Sequence, residues 1–175
     1  MKHFVKTFFI SFLFFFLFSK LLLAETIVYI DMDKIMQKSK AGNSVIKNIN
    51  KTNENNIKKF KKIEQEIKNE ENDLVAKKNI LSDEEFQNGL ASLRKKIENY
   101  REQRQKAIDE VTKKRINASA DFAQKIKPIL GDYAKEKNIS MVIQKKNIIM
   151  GKSNLDITDD ILKIVDQEIS KLKIN

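Results

Sequence analysis

From Ala41 to Lys137 the chain is dense in charge, and apolar residues recur through it in alternating steps of three and four. In the first half the series is Ile46, Ile49, Asn53, Asn56, Phe60, Ile63, Ile67, Glu70 and Leu74, the repeat of a helix that buries a seam. Phe86, Leu90, Leu93, Ile97, Tyr100, Arg104, Ala107 and Val111 repeat it in the second half. Between the two, Ser82 is followed three residues later by Glu85, a capping box that starts a new helix. A short connection brings the second helix back antiparallel to the first, because only then do the two seams bury each other. The expectation is a helical hairpin with its tip at 79–85 and arms of about 54 Å at the usual rise. Polar residues within the seam (Asn53, Asn56, Glu70, Arg104) make such a pair marginal and mobile. Gly89 predicts a softer tip, since glycine in a helix costs about 1 kcal/mol relative to alanine.

The flanking segments read differently. Thr26 to Ile30 is a short β-branched and aromatic run, the pattern of a buried strand. Asp33 is the expected N-cap of a helix carrying Ile35 and Met36, which leads through Ala41-Gly42 into the first arm. Asp31 and Asp33 have no third carboxylate near them, so turn and capping roles account for them better than a metal does. Beyond Val111 the apolar set moves to Ile116, Phe122, Ile126, Ile129 and Leu130, and Pro128 predicts a kink. Ile139 to Ile143 and Asn147 to Met150 have the spacing of a β-hairpin. A final helix is expected with Thr158 as its cap, Asp159 and Asp160 in its first turn, and a face of Ile161, Leu162, Val165, Ile169 and Leu172 to cover the sheet. The fold class is therefore α+β: a small β-sheet body with a C-terminal covering helix and a long antiparallel coiled-coil hairpin.

Residues 1–24 open with Lys2 and Lys6, continue with a phenylalanine- and leucine-rich core and end on Ala24, the layout of a secretory signal peptide. An uncleaved membrane anchor is the rival, given Lys20 within the apolar run and Leu22 three before the cut. The apolar core is shorter than the ~20 residues a span needs, which favours cleavage after Ala24. The whole sequence carries +10, and loss of Lys2, Lys6 and Lys20 leaves a basic exported chain. There is no cysteine, the single histidine is His3, and there are four glycines and one proline. Disulfides, thiolate chemistry and glycine-rich phosphate loops are thereby excluded or disfavoured, and no polar constellation suggests an enzyme. Lysines such as Lys58, Lys59, Lys61, Lys62, Lys77, Lys78, Lys95 and Lys96 alternate with glutamates, the pattern of a solvated face. A nucleic-acid binder would need an unbroken basic stripe and more aromatic residues.

In order, the chain offers a signal segment, Ile27-Val28-Tyr29-Ile30-Asp31-Met32, a basic helical hairpin, Ile139-Ser140-Met141-Val142-Ile143, and Asp156-Ile157-Thr158-Asp159-Asp160-Ile161-Leu162. This order resembles the Skp (OmpH) family of periplasmic chaperones across the whole chain after residue 24. The resemblance implies a single chaperone domain over 25–175, with a body of 25–41 and 123–175 and arms of 42–122. It implies a homotrimer whose hairpins surround a cavity holding unfolded outer-membrane proteins, with no nucleotide or metal cofactor. Excess positive charge can also steer anionic lipid or lipopolysaccharide surfaces. A body this small has too little core to stand alone, and Ile27, Tyr29, Met141, Ile143 and Ile149 are the candidates for its oligomer contacts. Phe60, Val75, Ile80, Phe86, Leu90 and Tyr100 are the candidates for client contact, although at heptad positions filling the seam is the commoner role. The alternative function is a structural coiled coil that tethers envelope components.

Overall fold

The computed structural model describes residues 25–173, so the expected signal peptide at 1–24 lies outside the described residues. Strand β1 (Thr26–Ile30) leads into a short helix α1 (Met32–Lys38), then the two long helices α2 (Lys40–Ala76) and α3 (Asp83–Glu136). Strand β2 (Ile139–Gln144), 3-10 turns at Lys145–Asn147 and Ser153–Leu155, and helix α4 (Thr158–Glu168) complete the order. At 1.5 Å per residue, the 37 residues of α2 span about 56 Å and the 54 of α3 about 81 Å. The surplus length of α3 is what carries the chain past the start of α2 and into the body.

The hairpin forms as the seam predicts. Ser82 accepts from the Glu85 backbone N–H while the Glu85 carboxylate accepts from the Ser82 N–H at 2.9 Å, so the capping box is complete. Partners across the arms run antiparallel: Asn50 meets Arg115, Lys59 meets Gln103, Phe60 meets Tyr100, and Glu70 meets Lys96. Phe60, Leu93 and Val111 are buried in the seam, Ile63, Ile67 and Leu74 half-buried. At the root, however, Val45 and Ile49 fill the interface and Ile46 is only half-buried. Ile116, placed in the buried set by the sequence pattern, is exposed, and Ala118 takes the inward position instead. The helix runs unbroken through Pro128 and Gly131. Both are on its exposed side, where water can satisfy the carbonyl that proline leaves free. Asn138, at φ 52°, ends α3 in the left-handed conformation that asparagine tolerates.

Several local expectations are corrected. Asp31, not Asp33, caps α1, its Oδ1 accepting from Lys34 N–H at 2.8 Å. Ser39 is a one-residue joint: it ends α1 and caps α2, accepting from Gly42 N–H at 3.2 Å. Gly42 is required there, because a Cβ would fall 2.0 Å from the Met36 carbonyl oxygen.

The expected β-hairpin is absent, and the sheet has two parallel strands, pairing Ile27 with Met141, Val28 with Val142, Tyr29 with Ile143 and Ile30 with Gln144. After β2 the chain crosses to the other edge of β1, where Tyr29 bridges Asp156 and its carbonyl accepts from Ile157 N–H at 3.0 Å. Ile148 to Met150 are spent on that crossing and cannot double back along β2. Nor does Thr158 cap its own helix: its hydroxyl accepts from Asp31 N–H at 2.9 Å. Helix α4 ends at Glu168, and Ile169 and Leu172 are buried from an extended tail instead. That tail is pinned to α3 by Lys173 N–H on Asp121 (2.8 Å) and Lys125 on the Lys171 carbonyl (2.6 Å).

One apolar core unites these parts. Val28 and Ile30 from β1, Ile35 from α1, Val45 and Ile49 from α2, Phe122, Ile126 and Ile129 from α3, and Ile161 and Val165 from α4 are all buried together. The core sits at the root of the hairpin and leaves both arms projecting from it.

Candidate functional site

Alternation along the strands sorts the body residues by face. Val28 and Ile30 turn into the core, so Ile27 and Tyr29 share the opposite face with their register partners Met141 and Ile143. Four of the five candidate oligomer residues are thus brought onto one side of the sheet. Ile27 and Met141 are exposed, Ile143 is half-buried, and Tyr29 is covered by the loop that follows β2. In that loop Gly151 lies so close that a Cβ would meet the tyrosine ring at 2.8 Å, and Lys145 stands 5.9 Å from the ring centroid. The fifth candidate, Ile149, is on the same loop with Met150. Both are fully exposed and, with Tyr29 and Ile148, border a shallow cleft. Met150 was not singled out in the sequence, where it reads as one more strand residue.

A polar network holds this face in place. Asp156 is in contact with the Thr158 hydroxyl, accepts from Thr158 N–H at 3.0 Å and pairs with Lys145 at 3.2 Å. Burial alone would raise the carboxyl of Asp156. The bonds from Thr158 and Lys145 outweigh it and hold the group below its ordinary value. The same contact with Asp156 raises the Lys145 ammonium. Asp121 is likewise lowered, chiefly by the backbone N–H of Lys173. Tyr133, in contact with Asp160 at 3.2 Å, is raised by burial and by that carboxylate.

The six client-contact candidates fall into two groups. Phe60 and Tyr100 meet edge to face, centroids 6.0 Å apart, and Phe60 is buried. Phe86 and Leu90 are half-buried along the seam towards the tip. Val75 and Ile80, by contrast, are open to solvent at the tip itself. Two further exposed apolar residues, Ile57 and Ile108, stand mid-arm and were missed in the sequence. The signal was present: each lies one place after a seam position, Asn56 or Ala107, and so has no buried place to go.

The charges of the arms are distributed over solvent. Glu102–Lys106 at 2.6 Å and the interhelical Lys96–Glu70 pair are exposed contacts of the kind that contributes little to stability. Among the described residues no group of three or more acidic or histidine side chains gathers as a metal site would require, and no helix is long and apolar enough to cross a membrane.

These features coincide with a known family. The family model for OmpH-like outer membrane proteins matches residues 26–165, and the chain belongs to that family. A crystal structure from Caulobacter crescentus CB15, described as an OmpH-like outer membrane chaperone, shares the fold. Its TM-score is 0.75 at 16% identity, over 86% of this chain and 89% of that one. No curated protein matches the sequence.

Proposed function

We propose that this chain is an ATP-independent holdase of the periplasm, which binds unfolded outer-membrane proteins and keeps them soluble as a homotrimer joined through its body. The observation that carries this reading is the pairing of a small body, whose outer sheet face and following loop leave Ile27, Met141 and Ile149 uncovered, with long arms that join the core at their root and beyond it pack on each other among the described residues. Such a body gains by association, since its apolar outer face is otherwise left in water. The arms supply scattered apolar groups among charges, the kind of surface that grips many sequences weakly. Family membership and the shared fold with a protein described as a chaperone support the same reading. The segment 1–24, read as a signal peptide, would deliver the chain to the compartment in which such clients travel.

The test is to dilute a denatured β-barrel protein into buffer with and without the chain lacking residues 1–24. A near-stoichiometric amount of trimer is expected to suppress light scattering without nucleotide. Absence of protection, with the arms intact by circular dichroism, would favour a structural tether instead.

A further inference from the structure

The middle of the arm contains a gap in its packing. Between the Phe60–Tyr100 contact and the buried Val111, the seam positions are taken by Asn53 and Asn56 on α2 and by Arg104 and Ala107 on α3. Two short amides and a methyl group underfill a space that leucine-sized side chains occupy elsewhere in such interfaces. The result is a cleft of about 480 Å³ open to solvent, with Phe60 and Tyr100 in its lining. Ile57 and Ile108 line it too, 58% and 48% exposed, one from each helix. Two apolar side chains left in water beside a cavity with an aromatic wall form a surface that gains by being covered.

We infer that this mid-arm cleft is a discrete peptide-binding subsite, which takes one apolar side chain of an extended, unfolded segment with an acidic residue beside it. The inference rests on the holdase reading for its biological occupant and goes beyond it in naming a place and a sequence preference. Size selects the occupant. A cleft of this volume falls within the range of sites for small ligands, whereas a folded partner or second copy needs roughly 800 Å² from each side. Charge selects the neighbour: Lys61 and Arg104 line the cleft against one carboxylate, Glu64. An acidic residue flanking the inserted apolar group therefore meets a net positive rim, and a basic one is repelled.

The experiment uses the full chain without residues 1–24 and a fluorescent, capped ten-residue peptide of alternating leucine and aspartate, read by anisotropy, with a leucine–lysine peptide as control. Ala107→Leu fills the cleft and should reduce affinity for the acidic peptide about tenfold while leaving the melting temperature unchanged or higher. Ile57→Ser combined with Ile108→Ser, both at exposed positions, should produce a similar loss without unfolding. Arg104→Gln should narrow the preference for the acidic over the basic peptide. Unchanged affinity in both the filled and the serine variants overturns the inference, even if wild type suppresses aggregation. If wild type fails to suppress aggregation yet Ala107→Leu abolishes peptide binding, the subsite stands and the holdase reading falls.

Discussion

Asp156 concentrates much of the chemistry of the body. It receives Thr158 and Lys145, and Thr158, 1% exposed, passes the connection on to the Asp31 backbone N–H. A carboxyl whose folded value is depressed adds stability above its unfolded value, and that contribution disappears as pH falls through the folded one. For Asp156 and for Asp121 the loss therefore belongs below about pH 4. Asp156→Asn keeps the shape but removes the charge. It should lower the melting temperature at pH 7 by roughly 2–4 °C, equivalent to about 1 kcal/mol. The gap from wild type should close toward pH 3. A thermal melt series across that interval checks it, and a gap that stays constant would show that the ionised form is not the source of the stability.

Two glycines distinguish a helix that must bend around a neighbour from one that merely tolerates a gap. At Gly42 the obstacle is a backbone carbonyl, which cannot move without breaking the α1–α2 joint. At Gly89 it is the Leu74 Cδ1 at 2.6 Å, the end of a half-buried side chain that can rotate. Gly89→Ala should therefore gain up to about 1 kcal/mol of helix propensity, seen as slower amide exchange near the tip. Gly42→Ala should destabilise by several kcal/mol and lower the yield of folded protein. Equal effects from the two substitutions would contradict this distinction.

The same elements show what the sequence could reveal. The hairpin and its capping box were legible because the heptad repeat and Ser82-x-x-Glu85 are local signals. The parallel pairing of β1 with β2 was not, because strand-like runs at 139–143 and 147–150 are equally apolar. What separates them is the long-range need to place Asp156 beside Tyr29. Spacing alone does not rank Asp31 against Asp33 as the cap of α1, because either could start the helix and only the fold shows which carboxylate reaches a free N–H. In the candidate site, Ile27 and Tyr29 fall on one face because they alternate with the buried Val28 and Ile30, whereas Ile57 and Ile108 lie one place outside the heptad seam and so are not marked by that repeat itself.

At the scale of the whole molecule, the uncovered sheet face makes a clean test of association, because its most exposed members contribute little to the monomer's own core. Met141→Asp places a charge on that face at a position already half in water, so the fold should persist. On the proposed trimeric assembly, the mass in solution should fall to that of the monomer at micromolar concentration, with helix content retained. A trimer that survives the substitution would move the contact elsewhere. The topology also fixes an order of events. The partner of β1 lies beyond both long helices, so a ribosome or translocation pore that releases the N-terminus first delivers a strand with nothing to pair with. The projecting rods can coil together while the base still lacks strand β2 and helix α4. Closure of the base should therefore be the slowest folding step of the single chain, and until it is complete β1 keeps an open edge on which a stray strand could settle.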